Sequence, residues 1–143
     1  MLERDQYRQH GGFVMSNTLY DALFRPHEEN AAIFLSLKDG RDISYGEFLR
    51  LTARFAHALS AGGVTPGDRV ALQAKKSPEA LAVYAACVAA GAVFLPLNTA
   101  YTAAEVDYFV TDAGARLLIC DGTARASLEP VANKAGAALL TLD

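Results

Sequence analysis

From residue 44 onward, segments whose apolar positions recur at helical spacing alternate with short, uninterrupted apolar runs. Phe48, Leu51, Phe55 and Leu59 share one helical face, with Glu47, Arg50, Arg54 and His57 opposite. That pattern predicts an amphipathic helix lying on a sheet. Ser44-x-x-Glu47 has capping-box spacing at its start, and Gly62-Gly63 stops it. The turn Thr65-Pro66-Gly67-Asp68 leads into residues 69–73, where Val70-Ala71-Leu72 reads as a strand buried on both faces. Ser77 as cap and Pro78 at the first helical position open a second helix that Gly91 closes. Residues 92–97 form the next predicted strand. Thr102-x-x-Glu105 is a second capping box, opening a helix with Val106, Phe109, Val110 and Ala113 inward and Gly114 at its end. A strand over 116–120, a polar loop over 121–123, a helix ending near Lys134 and a strand over 137–142 complete the pattern. Upstream, a short helix near 18–24 precedes a predicted hairpin, with strands 32–37 and 41–43 about the Asp39-Gly40 turn.

Helix and strand in strict alternation imply a parallel sheet with right-handed crossovers. The expected fold class is therefore α/β: a layered, mostly parallel sheet with helices on its faces, preceded by a short hairpin. A chain of 143 residues suffices for one domain. Residues 15–143 are expected to form it. The polar stretch 1–14, with Arg4, Arg8 and His10 and no apolar core, is expected to be a disordered leader or extension rather than a secretory signal. Met15-Ser16-Asn17 is an alternative start of the folded protein.

The hydrophobic fraction, 52%, exceeds that of an ordinary soluble domain. Some apolar surface is thus expected to lack a partner within the chain and to favour self-association. Sixteen acidic against thirteen basic side chains, without a block of like charge, point away from nucleic acid and membrane surfaces. The charge-free stretch between Glu79 and Glu105 is no membrane span: its apolar run over 80–95 is short, alanine-rich and interrupted by Gly91. Cys87 and Cys120 lie in apolar runs without metal-binding spacing, which reads as buried thiols in a reducing cytoplasm.

Ligands of open α/β sheets sit beyond the carboxyl ends of the strands. The loops to search are 74–77, 98–102 and 121–125. None holds GxGxxG, and the glycines at 62, 63 and 67 follow a helix and precede a strand, the wrong order for a phosphate cradle. Lys75 and Lys76 could meet a phosphate or simply be solvated. Asn98, Thr99 and Thr102 offer polar groups, although Thr102 already serves as a cap, and Arg125 could pair a phosphate or face water. His10, His27 and His57 are scattered without ligand spacing, and no serine lies in a GxSxG elbow. Metal chemistry and serine hydrolysis are not indicated.

Three phrases carry a resemblance: Gly67-Asp68-Arg69-Val70-Ala71, Ser77-Pro78-Glu79-Ala80, and Ala90-Gly91-Ala92-Val93-Phe94-Leu95-Pro96-Leu97-Asn98. Followed by Tyr101-Thr102-Ala103-Ala104-Glu105, they resemble the opening part of the AMP-forming acyl-CoA synthetases, of the acyl-adenylate-forming superfamily. Lys76 through Leu81, Leu95 through Thr102, and Asp107-Tyr108-Phe109 are most similar to malonyl-CoA synthetases. The resemblance implies the N-terminal subdomain of an adenylation domain, truncated at its C-terminal end. It implies an acid–thiol ligase that activates a carboxylate, malonate foremost, with ATP and Mg²⁺ to an acyl-AMP and then transfers the acyl group to CoA. No counterpart of the family's Ser/Thr/Gly-rich phosphate loop, adenine- and ribose-binding motifs or C-terminal lysine occurs in these 143 residues. No catalytic role is therefore carried onto a numbered residue, and the fragment is expected to be inactive and to hold no cofactor alone. The resemblance places Asn98 and Thr99 beside the CoA entrance, with Arg125 a weaker candidate for the same neighbourhood. Two competing readings are a stand-alone, non-catalytic binding or assembly module on the same scaffold, and an unrelated flavodoxin-like nucleotide binder.

Overall fold

The computed structural model describes residues 17–142. The expectations for residues 1–14, and for Met15 as a start, lie outside the described residues. Helix α1 (Thr18–Leu23) and a 3-10 turn lead to an antiparallel hairpin of β1 (Ile33–Ser36) and β2 (Asp42–Ser44). The alternating unit follows: α2 (Tyr45–Ala61), β3 (Arg69–Gln73), α3 (Pro78–Ala90), β4 (Val93–Pro96), α4 (Ala103–Ala113), β5 (Leu117–Cys120), α5 (Arg125–Ala135) and β6 (Ala138–Thr141). Strands β3 to β6 form one parallel sheet in the order β4-β3-β5-β6.

That order means the chain steps outward from β3 to β4, returns across β3 to β5, and continues to β6. Right-handed crossovers in opposite directions must cover opposite faces, and the core divides accordingly. Leu59, Val83, Ala86 and Cys87 from α2 and α3 pack on Val70, Leu72, Leu117 and Ile119. Val106, Val110, Leu128, Val131 and Ala132 from α4 and α5 pack on Ala71, Leu118 and Cys120. The central strand β5 is buried along its whole length, whereas Leu140 on the edge strand β6 keeps 40% of its surface. Pro96 sits in β4, an edge strand, where a missing N–H is tolerated.

Both predicted capping boxes form. In α4 the Thr102 hydroxyl accepts from the Glu105 N–H at 3.3 Å, and the Glu105 carboxylate accepts from the Thr102 N–H at 2.7 Å and from its hydroxyl at 2.8 Å. The Thr102 N–H, then its hydroxyl, hold the Glu105 carboxyl below the usual carboxylate range. Because the folded-state pKa is depressed, this contribution is present above the unfolded pKa and is lost as pH falls through the folded one. Thr102→Ala is expected to cost about 1 kcal/mol near neutral pH, with a smaller penalty in acid. Urea denaturation at two pH values checks both statements.

Cys87 and Cys120 are buried thiols outside any disulfide. Burial pushes the Cys87 thiol up to about 12. A thiol held protonated is a poor nucleophile, so Cys87 should resist alkylation by iodoacetamide at pH 8 in the folded protein and react after denaturation. Mass spectrometry of the digested protein reads both states. Among the described residues no helix is long and apolar enough to cross a membrane.

Candidate functional site at the carboxyl ends of the strands

The family-like phrase Gly67 to Ala71 lies at the amino end of the sheet. Gly67 takes φ +88°, Asp68 accepts from the Thr65 N–H and hydroxyl, and Arg69 donates through Nε to the Ala113 carbonyl at 2.6 Å. Arg69 thereby satisfies a carbonyl left over at the end of α4. These residues build the scaffold and stand at the opposite end of the strands from any ligand position.

At the carboxyl ends, an open groove of about 570 Å³ lies beyond β3 and β4, lined by Ala74, Lys75, Lys76, Pro96, Leu97, Asn98 and Thr99. Two of the three candidate loops are thus brought together. Lys75 and Lys76 are exposed just ahead of α3, whose first turn is closed by Ser77 accepting from the Ala80 N–H at 3.1 Å. Among the described residues neither lysine has an ion pair. Both therefore add positive charge to the groove lining without a paired carboxylate.

The Asn98 side chain has work within the protein: its Oδ1 accepts from the Ala100 N–H at 2.9 Å, an Asx turn. The Tyr101 N–H donates to the Asn98 carbonyl at 3.0 Å, closing the turn. Thr99 is exposed at its tip. The third loop joins through Asp121, whose carboxylate accepts from the Lys75 N–H at 3.0 Å and so ties the end of β5 to the end of β3. Arg125 stands apart from the groove lining. It begins α5 and faces Glu129 one turn on, at 3.7 Å between charged atoms.

Gln73 was not among the candidates. It is 7% exposed, and its Nε2 donates to the Asn98 carbonyl at 2.9 Å and the Tyr101 carbonyl at 3.0 Å. Since both partners are carbonyl oxygens, the amide nitrogen must face them, which fixes the orientation of the side chain. Nothing local marks this role, because the partners lie 25 and 28 residues downstream. Among the described residues no group of three or more His, Cys, Asp and Glu side chains could hold a metal ion.

Comparison with known proteins places this geometry. The family model described as "AMP-binding enzyme" matches residues 21–143. A fatty acid–[acyl-carrier-protein] ligase of Streptomyces coeruleorubidus is 40% identical over 85 residues, covering 59% of this chain and 16% of the relative. A feruloyl-CoA synthase of an Amycolatopsis species is 45% identical over 80 residues, covering 56% of this chain and 16% of its own. Among solved structures, apo MatB from Rhodopseudomonas palustris superposes with a TM-score of 0.84 at 43% identity, over 90% of this chain and 26% of that one. ATP-bound MatB gives the same score and identity. The chain thus spans about a quarter of the solved relative's length and less of the curated ones. A family model matched over most of the sequence, joined to a fold that superposes on MatB, shows that the chain belongs to the AMP-binding enzymes.

Proposed function

We propose that this chain is the N-terminal α/β subdomain of an AMP-forming acid–CoA ligase, with residues 15–143 forming that unit and malonate as the acid activated. The observation that carries the reading is the 43% identity to MatB, a malonyl-CoA synthetase, sustained over 90% of this chain. In the reaction, a carboxylate oxygen attacks the α-phosphorus of ATP and pyrophosphate departs, leaving an acyl-AMP. The CoA sulfur then attacks the acyl carbon, AMP leaves with the electron pair, and the thiol proton passes to solvent or base. The two steps replace an oxygen that leaves poorly with a phosphate that leaves well. Magnesium enters as the counter-ion of ATP, and the ligase acts in the cytoplasm.

Within this chain the Asn98-Thr99 turn borders the CoA entrance. Lys75 and Lys76 across the groove suit a phosphate-bearing substrate, because unpaired cations at the mouth of a cleft raise the local concentration of anions. Arg125, outside the groove lining and 3.7 Å from Glu129, stays the weaker candidate for the same neighbourhood.

The test is to read the coding frame beyond Asp143 and assay its full product. A frame continuing into a Ser/Thr/Gly-rich loop with lysine, and AMP formation that requires malonate and CoA, is the expected result. AMP formation with ferulate or a fatty acid in place of malonate overturns the choice of acid. A stop codon directly after Asp143 overturns the ligase itself.

A further inference from the structure

Gln73 and Thr52 are the buried polar side chains among the described residues, and the two do different things. Thr52 donates to the Phe48 carbonyl one turn back in its own helix. Gln73 reaches out of β3 and holds both ends of the Asn98 to Tyr101 turn. The buried side-chain nitrogen and oxygen atoms of the described residues all have partners. Removing the Gln73 amide would leave the turn's two carbonyls without this donor and the turn without its side-chain tie to β3.

We infer that Gln73 is a positioning residue for CoA, fixing the Asn98 to Tyr101 turn so that Thr99 and the Asn98 backbone form one rigid wall of the groove. This rests on the reading above that the turn borders the CoA entrance. Three observations support it. The two carbonyls that Gln73 binds are those of the first and last residues of the turn, so one side chain ties both ends to β3, beyond the single backbone bond from the Leu97 N–H to the Leu72 carbonyl that precedes the turn. The turn carries its own internal bonds, from the Ala100 and Tyr101 N–H groups, and therefore moves as a unit. The facing wall is fixed separately, by the Asp121 carboxylate on the Lys75 N–H, so the Gln73 contacts act on the Asn98 side of the groove. A ligand edge displaced by an ångström costs far more in binding and rate than the lost bonds themselves.

The experiment uses the full-length ligase carrying Gln73→Met, which keeps the side chain's length and removes its donor. The KM for CoA should rise by about tenfold or more, while malonate-dependent ATP–pyrophosphate exchange, which needs no CoA, stays at the wild-type rate. Thr52→Val is the control for destabilisation, because it removes a buried hydroxyl away from the groove. A parallel fall in exchange, or an equal rise in CoA KM with Thr52→Val, overturns the inference. So does an unchanged KM for CoA in Gln73→Met while Thr99→Tyr, which crowds the groove, raises it. If neither Gln73→Met nor Thr99→Tyr moves that KM, the turn does not border the CoA entrance and the reading beneath the inference falls with it. Hydrogen exchange in the wild-type protein gives a measurement that needs no variant: the Gln73 side-chain amide protons should exchange slowly, and rapid exchange of both overturns the positioning role.

Discussion

Replacing Phe48 by alanine is expected to lower the stability of the folded chain by about 3–5 kcal/mol, enough to unfold a domain of ordinary stability. The ring is 1% exposed and stands where three elements meet. It packs with Leu49 of its own helix, with Ala82 and Ala85 of α3, and with the partly buried Phe34, Leu35 and Ile43 of the hairpin. Phe34 lies 4.8 Å from it, ring centre to ring centre, and continues to Tyr45 at 4.6 Å and from there to His27 at 4.7 Å. A two-stranded hairpin is marginal by itself, so β1 and β2 depend on this aromatic chain for their attachment. Urea denaturation should show the lowered midpoint, and hydrogen exchange should show β1 and β2 losing protection first. His57→Ala, on the exposed face of the same helix, should stay within about 0.5 kcal/mol of wild type. A loss below about 1 kcal/mol for Phe48→Ala would mean that the hairpin is anchored elsewhere.

How much of this was legible in the sequence follows from the range of each interaction. Ser44 with Glu47 and Thr102 with Glu105 bind within one helical turn, and both boxes were read correctly because nothing distant has to be known. Gly91, Gly114 and Gly136 end their helices at φ +67°, +57° and +68°, again a local requirement for the left-handed region. Strand lengths were less legible. Residues 32–37 shorten to Ile33–Ser36 and 92–97 to Val93–Pro96, since ladder pairing, which is not a local property, sets the ends. The order β4-β3-β5-β6 has no local signal, because it depends on which face each crossover helix takes.

The site divides in the same way. The loops at the strand ends were found because their position follows from the fold class. What each side chain does there was not. Asn98 reads from sequence as a polar group offered to a ligand, yet its side-chain oxygen is spent on the Ala100 N–H. Gln73 reads as the last residue of an apolar strand, and its function depends on contacts 25 and 28 positions away. The phrase Gly67 to Ala71, by contrast, carries family information through scaffold roles: a left-handed glycine, a turn carboxylate and an arginine bound to the end of α4. Such a motif reports which fold is being built and carries no information about a substrate.

Enlarging Ala85 to leucine should also destabilise the fold, for the opposite physical reason. Helix α3 shows no amphipathic period because it is apolar on both its buried and its exposed sides: Ala82, Val83, Ala85, Ala86 and Cys87 are buried between α2 and the sheet, while Leu81 keeps 38% of its surface. Alanine at 82, 85 and 86 lets α2 approach closely, and burial of these positions accounts for the absence of charge over the first half of the stretch after Glu79. Three added carbons at position 85 have no void to enter, since Phe48 and Leu49 already fill the facing space. Overpacking of this kind costs about 1–3 kcal/mol or more, through strained rotamers and displaced backbone. Because the damage is steric, it should be partly reversible: Leu49→Ala vacates volume beside Ala85, so the double variant should be more stable than the sum of the two single losses predicts, by roughly 1 kcal/mol. Denaturation of the four proteins in one cycle measures that coupling. Strict additivity would mean that α3 relieves the strain by shifting as a whole, in which case the groove wall at Lys75 and Lys76, just ahead of its Ser77 cap, would shift with it.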